Sequence, residues 1–257
     1  MIHLNKKHYP YLEEINIAVL KQIPISKSFS AEQAVLDVGC GQANLSLEIK
    51  KKGYCVWGVE ENEFAATKAQ SRIDNVIVRN LIAFDKIEEE IKAKQFDYIV
   101  FSDVLEHLYD PLSVLNFYLQ FLKSDGRVII SVPNAVVWSN RLSFLWGKFE
   151  YDDTGVMDRT HIRFFTFKTA KQLVAAAGCA VCHTDLSPFI VRACLPILKK
   201  IMIKKSDKNN SSRAIIDSPF YRLYERFIYP IEYAVSYCWR TLFAFRIVVV
   251  GKKLGLK

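Results

Sequence analysis

VLDVGCGQANL, residues 35–45, carries an apolar run into an acid and then into two glycines that flank a cysteine. Val35, Leu36 and Val38 read as the end of a buried strand. Gly39 and Gly41 permit a tight turn and close approach of a ligand to the backbone. Residues 43–49 then read as a helix, with Leu45 and Ile49 on one face. Strand, glycine turn and helix in this order open a nucleotide-binding α/β unit. The free N–H groups at the start of such a helix suit a phosphate. Asp37, two residues before the first glycine, would repel one and suits a cationic ligand instead. Asn44 stands at the third position of a G-x-G-x-x-G pattern, so the dinucleotide fingerprint is incomplete.

Outward from this turn, short apolar segments alternate with helical ones. Strands are expected at 34–38, 54–59, 76–79, 98–102 and 127–132, and helices at 43–52, 63–72, 86–94 and 111–122. Gly126 reads as a turn before the fifth strand. Several strands are apolar throughout, as expected when both faces of a sheet are covered. A helix at 169–177, stopped at Gly178, leads to strands at 181–186 and 242–250, which makes seven. Two stretches break the alternation. Residues 133–166 are too long for a simple connection and read as a lid over the strand ends. Residues 187–240 read as a helical, basic insertion between strands six and seven. Within it, Ser218 and Pro219 suit a helix start, and Pro230 ends or kinks that helix.

Composition bounds the rest. The chain has 257 residues, half of them apolar, and a formal net charge of +8. That length can bury a full core within one domain, 1–257. The charge is uneven: residues 197–213 hold Lys199, Lys200, Lys204, Lys205, Lys208 and Arg213 against Asp207. Residues 196–205 suit a basic amphipathic helix, which predicts peripheral contact with the inner face of an anionic membrane. No secretory signal and no run of 18 apolar residues is visible, so a cytoplasmic protein without a spanning helix is expected. The six cysteines are scattered. Cys179 and Cys182 form a C-x-x-C with no second pair at zinc spacing, and read as small apolar residues beside a strand.

The ligand can be read further. Glu60 ends the second strand, placed to accept hydrogen bonds from both hydroxyls of a ribose. Asn80 ends the third strand, where an amide can pair with an adenine edge. With Asp37, Gly39 and Gly41 they converge on one crevice at the strand ends. A ligand with an ammonium, a sulfonium and no phosphate, S-adenosylmethionine, fits this set better than NAD. After the fourth strand, Asp103, Glu106 and His107 are spaced i, i+3, i+4 and would share one face of a helical turn. His161 lies in the lid. Two chemistries suit the four: a divalent cation, with imidazole favouring Mn²⁺, Co²⁺, Ni²⁺ or Zn²⁺, or metal-free acid–base work by His107 or His161 with Glu106. A structural role is the third reading, with Asp103 as a cap and Glu106 paired to Arg159 or Arg163. Tyr9 is placed to fold over the ligand.

VLDVGCGQANL, GVEEN, FDYIVFSDVLEHL and LKSDGRVIISVPN together resemble the class I S-adenosylmethionine-dependent methyltransferases, over about residues 9–186. Asn80 departs from the family, which more often has Asp there. MDRTHIRFFT resembles a segment of bacterial methyltransferases associated with surface-polysaccharide synthesis. SDVLEHL is also similar to ubiquinone-pathway O-methyltransferases and small-RNA 2′-O-methyltransferases. The resemblance implies an α/β fold: a Rossmann-like, seven-stranded, mostly parallel sheet with helices on both faces and the last strand antiparallel. It implies cofactor contacts from Asp37, Gly39, Gly41, Glu60, Asn80 and Asp103. The expected activity is methyl transfer to a hydroxyl of a small molecule, a glycan or a lipid-linked saccharide. RNA, a quinone precursor, or binding without catalysis are the alternatives.

Overall fold

The computed structural model describes residues 15–26, 33–189 and 223–254. In chain order these form α1 (Ile17–Leu20), β1 (Ala34–Val38), α2 (Asn44–Lys51), β2 (Cys55–Glu60), α3 (Glu63–Gln70), β3 (Asn75–Val78), α4 (Phe84–Ile91) and β4 (Phe96–Ser102). A single 3-10 turn, Leu105–His107, precedes α5 (Pro111–Leu119) and β5 (Leu122–Pro133). Then follow α6 (Trp138–Leu145), α7 (Phe167–Ala176), β6 (Cys179–Pro188), α8 (Tyr229–Cys238), α9 (Arg240–Phe243) and β7 (Ala244–Lys253). Residues 196–205, Tyr9, Cys194 and the expected helix start at Ser218 and Pro219 lie outside the described residues.

All seven strands join one sheet, in the order β3-β2-β1-β4-β5-β7-β6. β1 pairs in parallel with β2 and β4, and β5 continues the parallel set. β7 runs antiparallel to both β5 and β6. Strand order reverses between β1 and β4, which opens a crevice at their carboxyl ends. Because β7 is antiparallel, its first residues reach the same end, and Arg246 pairs with Pro133.

Helices cover both faces. On one, Ile87 and Ile91 of α4, Leu115 and Tyr118 of α5 and Val174 of α7 pack on Leu36, Val38 and Ile99. On the other, Val19 of α1 and Leu45 and Ile49 of α2 pack on Val35, Val56 and Val100. Neighbouring residues of one strand thus face opposite layers, and both layers are apolar. That is why the sequence shows continuous apolar runs.

Several boundaries differ from the sequence expectation. Gly126 lies inside β5, not in a turn before it. Phe96 pairs with Leu122 but Tyr98 with Arg127, so the intervening residues bulge out of register. A side chain at Gly126 would meet Leu122 and the Asp97 carbonyl, which explains how a glycine sits in the strand. Ala43 is not helical; it takes a left-handed conformation (φ 60°) just before α2. α5 ends at Leu119, and β6 and β7 run longer than expected. Pro230 stands where a π-helical turn, Tyr224–Ile228, gives way to α8; lacking an N–H, it fits the first turn of a helix.

Candidate active site

Gly39 has φ +76°, and a Cβ there would come within 2.6 Å of a Val104 methyl. Only glycine lets the loop turn while packed against the end of β4. Its N–H donates to the Val59 carbonyl (2.8 Å), which ties the loop to β2. Glu60 clamps the same loop, accepting from the N–H of Gly41 (2.8 Å) and of Asn62 (2.9 Å). Asp37 is buried, and its carboxylate accepts from the Ser46 hydroxyl at the start of α2. Burial raises its pKa to about 6; the Ser46 bond opposes this and the Glu60 charge adds to it.

Beside this loop lies a cavity of about 210 Å³. Its walls include Asp37, Gly39 and Gly41 from the loop, Asp103, Glu106 and His107 after β4, Asp158 and His161 from the lid, and Arg246 from β7. A chain of polar contacts shapes one wall. Arg246 Nε donates to Asp103 (2.8 Å), the Ser131 hydroxyl donates to Asp103 (3.1 Å), and Asn16 Nδ2 donates to Ser131 (2.8 Å). Asn16 also caps α1 by accepting from the Val19 N–H, so the start of the described chain is fastened to the cavity.

Glu106, His107 and His161 each offer a ligand atom within 4.8 Å of the others. The imidazole rings meet edge to face, 4.7 Å between centroids. Glu106 is buried, and neither carboxylate oxygen has a hydrogen-bond partner among the described residues. Burial pushes its pKa well above the usual range, and Asp103 adds to the effect. The lid is locked to it by backbone: the N–H groups of Ile162 and Arg163 both donate to the Glu106 carbonyl.

The tautomers follow from the partners. Nδ1 of His161 faces the Val156 carbonyl (3.0 Å), an acceptor only, so Nδ1 carries the proton. Nδ1 of His107 faces the Thr160 carbonyl (3.3 Å) and hydroxyl (3.2 Å). That hydroxyl gives its own proton to Asp158 (2.6 Å) and therefore accepts from His107. In both rings Nε2 is left as the acceptor. Burial, with the His161 charge second, lowers the pKa of His107.

A methyltransferase-domain family model matches residues 12–184. The chain belongs to the class I S-adenosylmethionine-dependent methyltransferases. The chain is 34% identical over 108 residues to a ubiquinone biosynthesis O-methyltransferase of Pseudomonas fluorescens, a match covering 40% of this chain and 46% of that protein. It is 31% identical over 127 residues to one of Nitrosomonas europaea, covering 48% and 53%. It thus spans about half the length of these curated relatives. Among solved structures it superposes on an S-adenosylmethionine-dependent methyltransferase from Archaeoglobus fulgidus with TM-score 0.54 and 20% identity over 88% of each chain. Magnesium protoporphyrin IX methyltransferase from Synechocystis, with bound S-adenosylhomocysteine, matches with TM-score 0.54 and 12% identity over 92% of this chain and 80% of that one. These structural likenesses speak to the fold.

In the structure, the expected residues separate into groups. Asp37, Gly39, Gly41, Asp103, Glu106, His107 and His161 share the cavity wall. Glu60 and Asn80 lie outside that wall: Glu60 grips the loop, and exposed Asn80 turns its side-chain oxygen to the Ile82 N–H (3.0 Å). Asp103 does not share a helical face with Glu106 and His107. Its backbone is left-handed (φ 57°), its carboxylate pairs with Arg246, and it is not one of the three clustered ligand residues. It does not cap the Leu105–His107 turn, and the lid arginines do not reach Glu106: Arg159 pairs with Asp153 and Arg163 with the Tyr109 carbonyl. The sequence reading missed Asn16, Ser131, Asp158 and Arg246. A lone arginine in the apolar run FRIVVV was the one visible sign, since a buried charge requires a partner.

Proposed function

We propose that the methyltransferase methylates a hydroxyl of a polyhydroxylated acceptor, a glycan or lipid-linked saccharide, held beside Glu106, His107 and His161. The observation carrying this reading is Glu106: a buried carboxylate without a hydrogen-bond partner among the described residues, beside two imidazoles whose Nδ1–H groups are fixed on backbone carbonyls. A hydroxyl is a weak nucleophile while protonated, and this group addresses that need. A wall that presents Asp37, Asp103, Asp158, Asn16, Asn44 and Ser102 offers a sugar hydrogen-bond partners that an apolar ring would leave unused.

S-adenosylmethionine supplies the methyl group as an electrophilic sulfonium. Asp37 and the acid-rich wall favour its cationic end, and Glu60 fixes the loop under it. Glu106, His107 and His161 fit a divalent cation, since an isolated buried carboxylate is costly unless protonated or paired with a cation. A cation bound there would lower the pKa of a coordinated hydroxyl. The imidazole Nε2 atoms serve as its ligands or, without it, accept the hydroxyl proton themselves. The lid holds His161 in place through its backbone bonds to Glu106.

A quinone-precursor acceptor is the second reading, favoured by the similarity to ubiquinone biosynthesis O-methyltransferases. Transfer of label from S-adenosylmethionine to a panel of saccharides and catechols, with and without a chelator, tests both. Labelled saccharide supports the first reading and labelled catechol the second. Activity lost in chelator and restored by Mn²⁺ supports the cation. Full activity in chelator that His107→Ala abolishes supports the base. Full activity in chelator and in alanine variants of Glu106, His107 and His161 overturns the site.

A further inference from the structure

The helix that leads into β7 is amphipathic in the unusual sense. Its inward side carries Glu232 and Ser236, both buried, while its outward side is apolar. Leu223, Phe227 and Ile231 recur at four-residue spacing and are exposed by 54%, 56% and 67%. Trp239 follows at 61%. The inward side is fixed by Tyr233, whose hydroxyl donates to Asp185 on β6, so the helix cannot simply roll over to bury its apolar side. A second apolar projection adjoins it. α6 ends in Leu145 and Trp146, exposed by 78% and 77%. The Arg141 guanidinium of α6 donates to the Thr241 carbonyl of α9 (3.2 Å), which joins the two elements.

We infer that this face docks on an anionic phospholipid surface, with Phe227, Ile231 and Trp239 of the helix and Trp146 of the lid entering the headgroup region. Exposed aromatics of this number mark an interaction site, and the charges around them select the partner. Arg226 and Arg240 sit among these side chains, stacked on Phe227 and Tyr237, and Lys148 follows Trp146. Earlier in the sequence, residues 197–213 hold six basic residues against one acid. A second copy would set Arg226, Arg240 and Lys148 against the same cations, whereas an anionic surface is complementary to them. Apolar side chains with flanking cations lie in the interface plane without crossing it, and no described helix is long and apolar enough to cross. The surface is built from residues other than 196–205. It does not depend on which acceptor is methylated.

Flotation of the full chain with phosphatidylcholine vesicles, with and without phosphatidylglycerol, tests this. Recovery should be at least about tenfold higher with the anionic lipid. The pair Phe227→Ser and Ile231→Ser should remove most of that gain, with melting temperature and S-adenosylmethionine affinity unchanged. A second measurement needs no variant. Vesicles with brominated acyl chains should quench the fluorescence of wild-type protein, and Trp146→Phe with Trp239→Phe should abolish the quenching. Equal recovery on neutral and anionic vesicles, undiminished binding by the serine pair, or no quenching overturns the proposal. So does a wild-type dimer that the serine pair converts to monomer without any vesicle binding.

Discussion

Asp37 is the residue whose replacement tests both the fold and the ligand. Its carboxylate is buried, and its pKa rises from 3.8 to about 6. At neutral pH the ionised form is therefore disfavoured in the folded chain by about 3 kcal/mol, at about 1.4 kcal/mol per tenfold. Asn keeps the shape and still accepts the Ser46 proton. Asp37→Asn should thus stabilise the ligand-free protein at pH 7.5 by about 1–3 kcal/mol, a rise of roughly 3–9 °C in melting temperature. The sign follows from linkage. A raised folded-state pKa gives stability that is complete below the unfolded value and is lost as pH climbs through about 6. The advantage of the variant should accordingly shrink between pH 6 and pH 4. Affinity should move the other way. Losing a charge-assisted bond weakens S-adenosylmethionine binding by about 1.5–3 kcal/mol, roughly 10- to 150-fold. Thermal melts from pH 4 to 8 and calorimetry with S-adenosylmethionine read the two effects. A variant that melts at or below wild type at pH 7.5 refutes the buried-charge reasoning, and unchanged affinity refutes the ligand assignment.

Further outcomes follow from the same geometry. Glu106→Gln should abolish Mn²⁺ binding measured by calorimetry with the ion alone, while leaving thermal stability equal or higher, because it removes a buried carboxylate that has no hydrogen-bond partner among the described residues. The pH profile of kcat should be flat near neutrality, with its acid limb below the ordinary histidine value of about 6.5, because His107 is held lower by burial and must be neutral to act; an acid limb above 7 contradicts this. Gly39→Ala should cost about 1–3 kcal/mol in urea denaturation, since the positive φ and the Val104 contact both oppose a side chain. Arg246→Met should cost about 3 kcal/mol by leaving Asp103 beside Ser131 without its cation, and adding Asp103→Asn should recover part of that loss.

The sequence by itself determined the layers and the glycine loop. Continuous apolar strands alternating with helices admit few folds, and Gly39 permits the tight turn that its positive φ makes. Those signals are local: each lies within one strand, turn and helix. The meeting of Glu106, His107 and His161 was partly legible, because Glu106 and His107 are neighbours. Only the tertiary structure brought the lid histidine ring to 4.7 Å from that of His107, fixed both tautomers on lid carbonyls and left Glu106 without a hydrogen-bond partner among the described residues. It also removed Asp103 from that group. The i, i+3 spacing implied a shared face only if Asp103 were helical, and its backbone is left-handed, with its carboxylate paired to Arg246 from a strand 143 residues later. The same holds for Glu60, whose place at a strand end was readable but whose grip on Gly41 was not. Pairings between residues far apart in the chain depend on the register and order of the strands, and no periodicity within a segment encodes them.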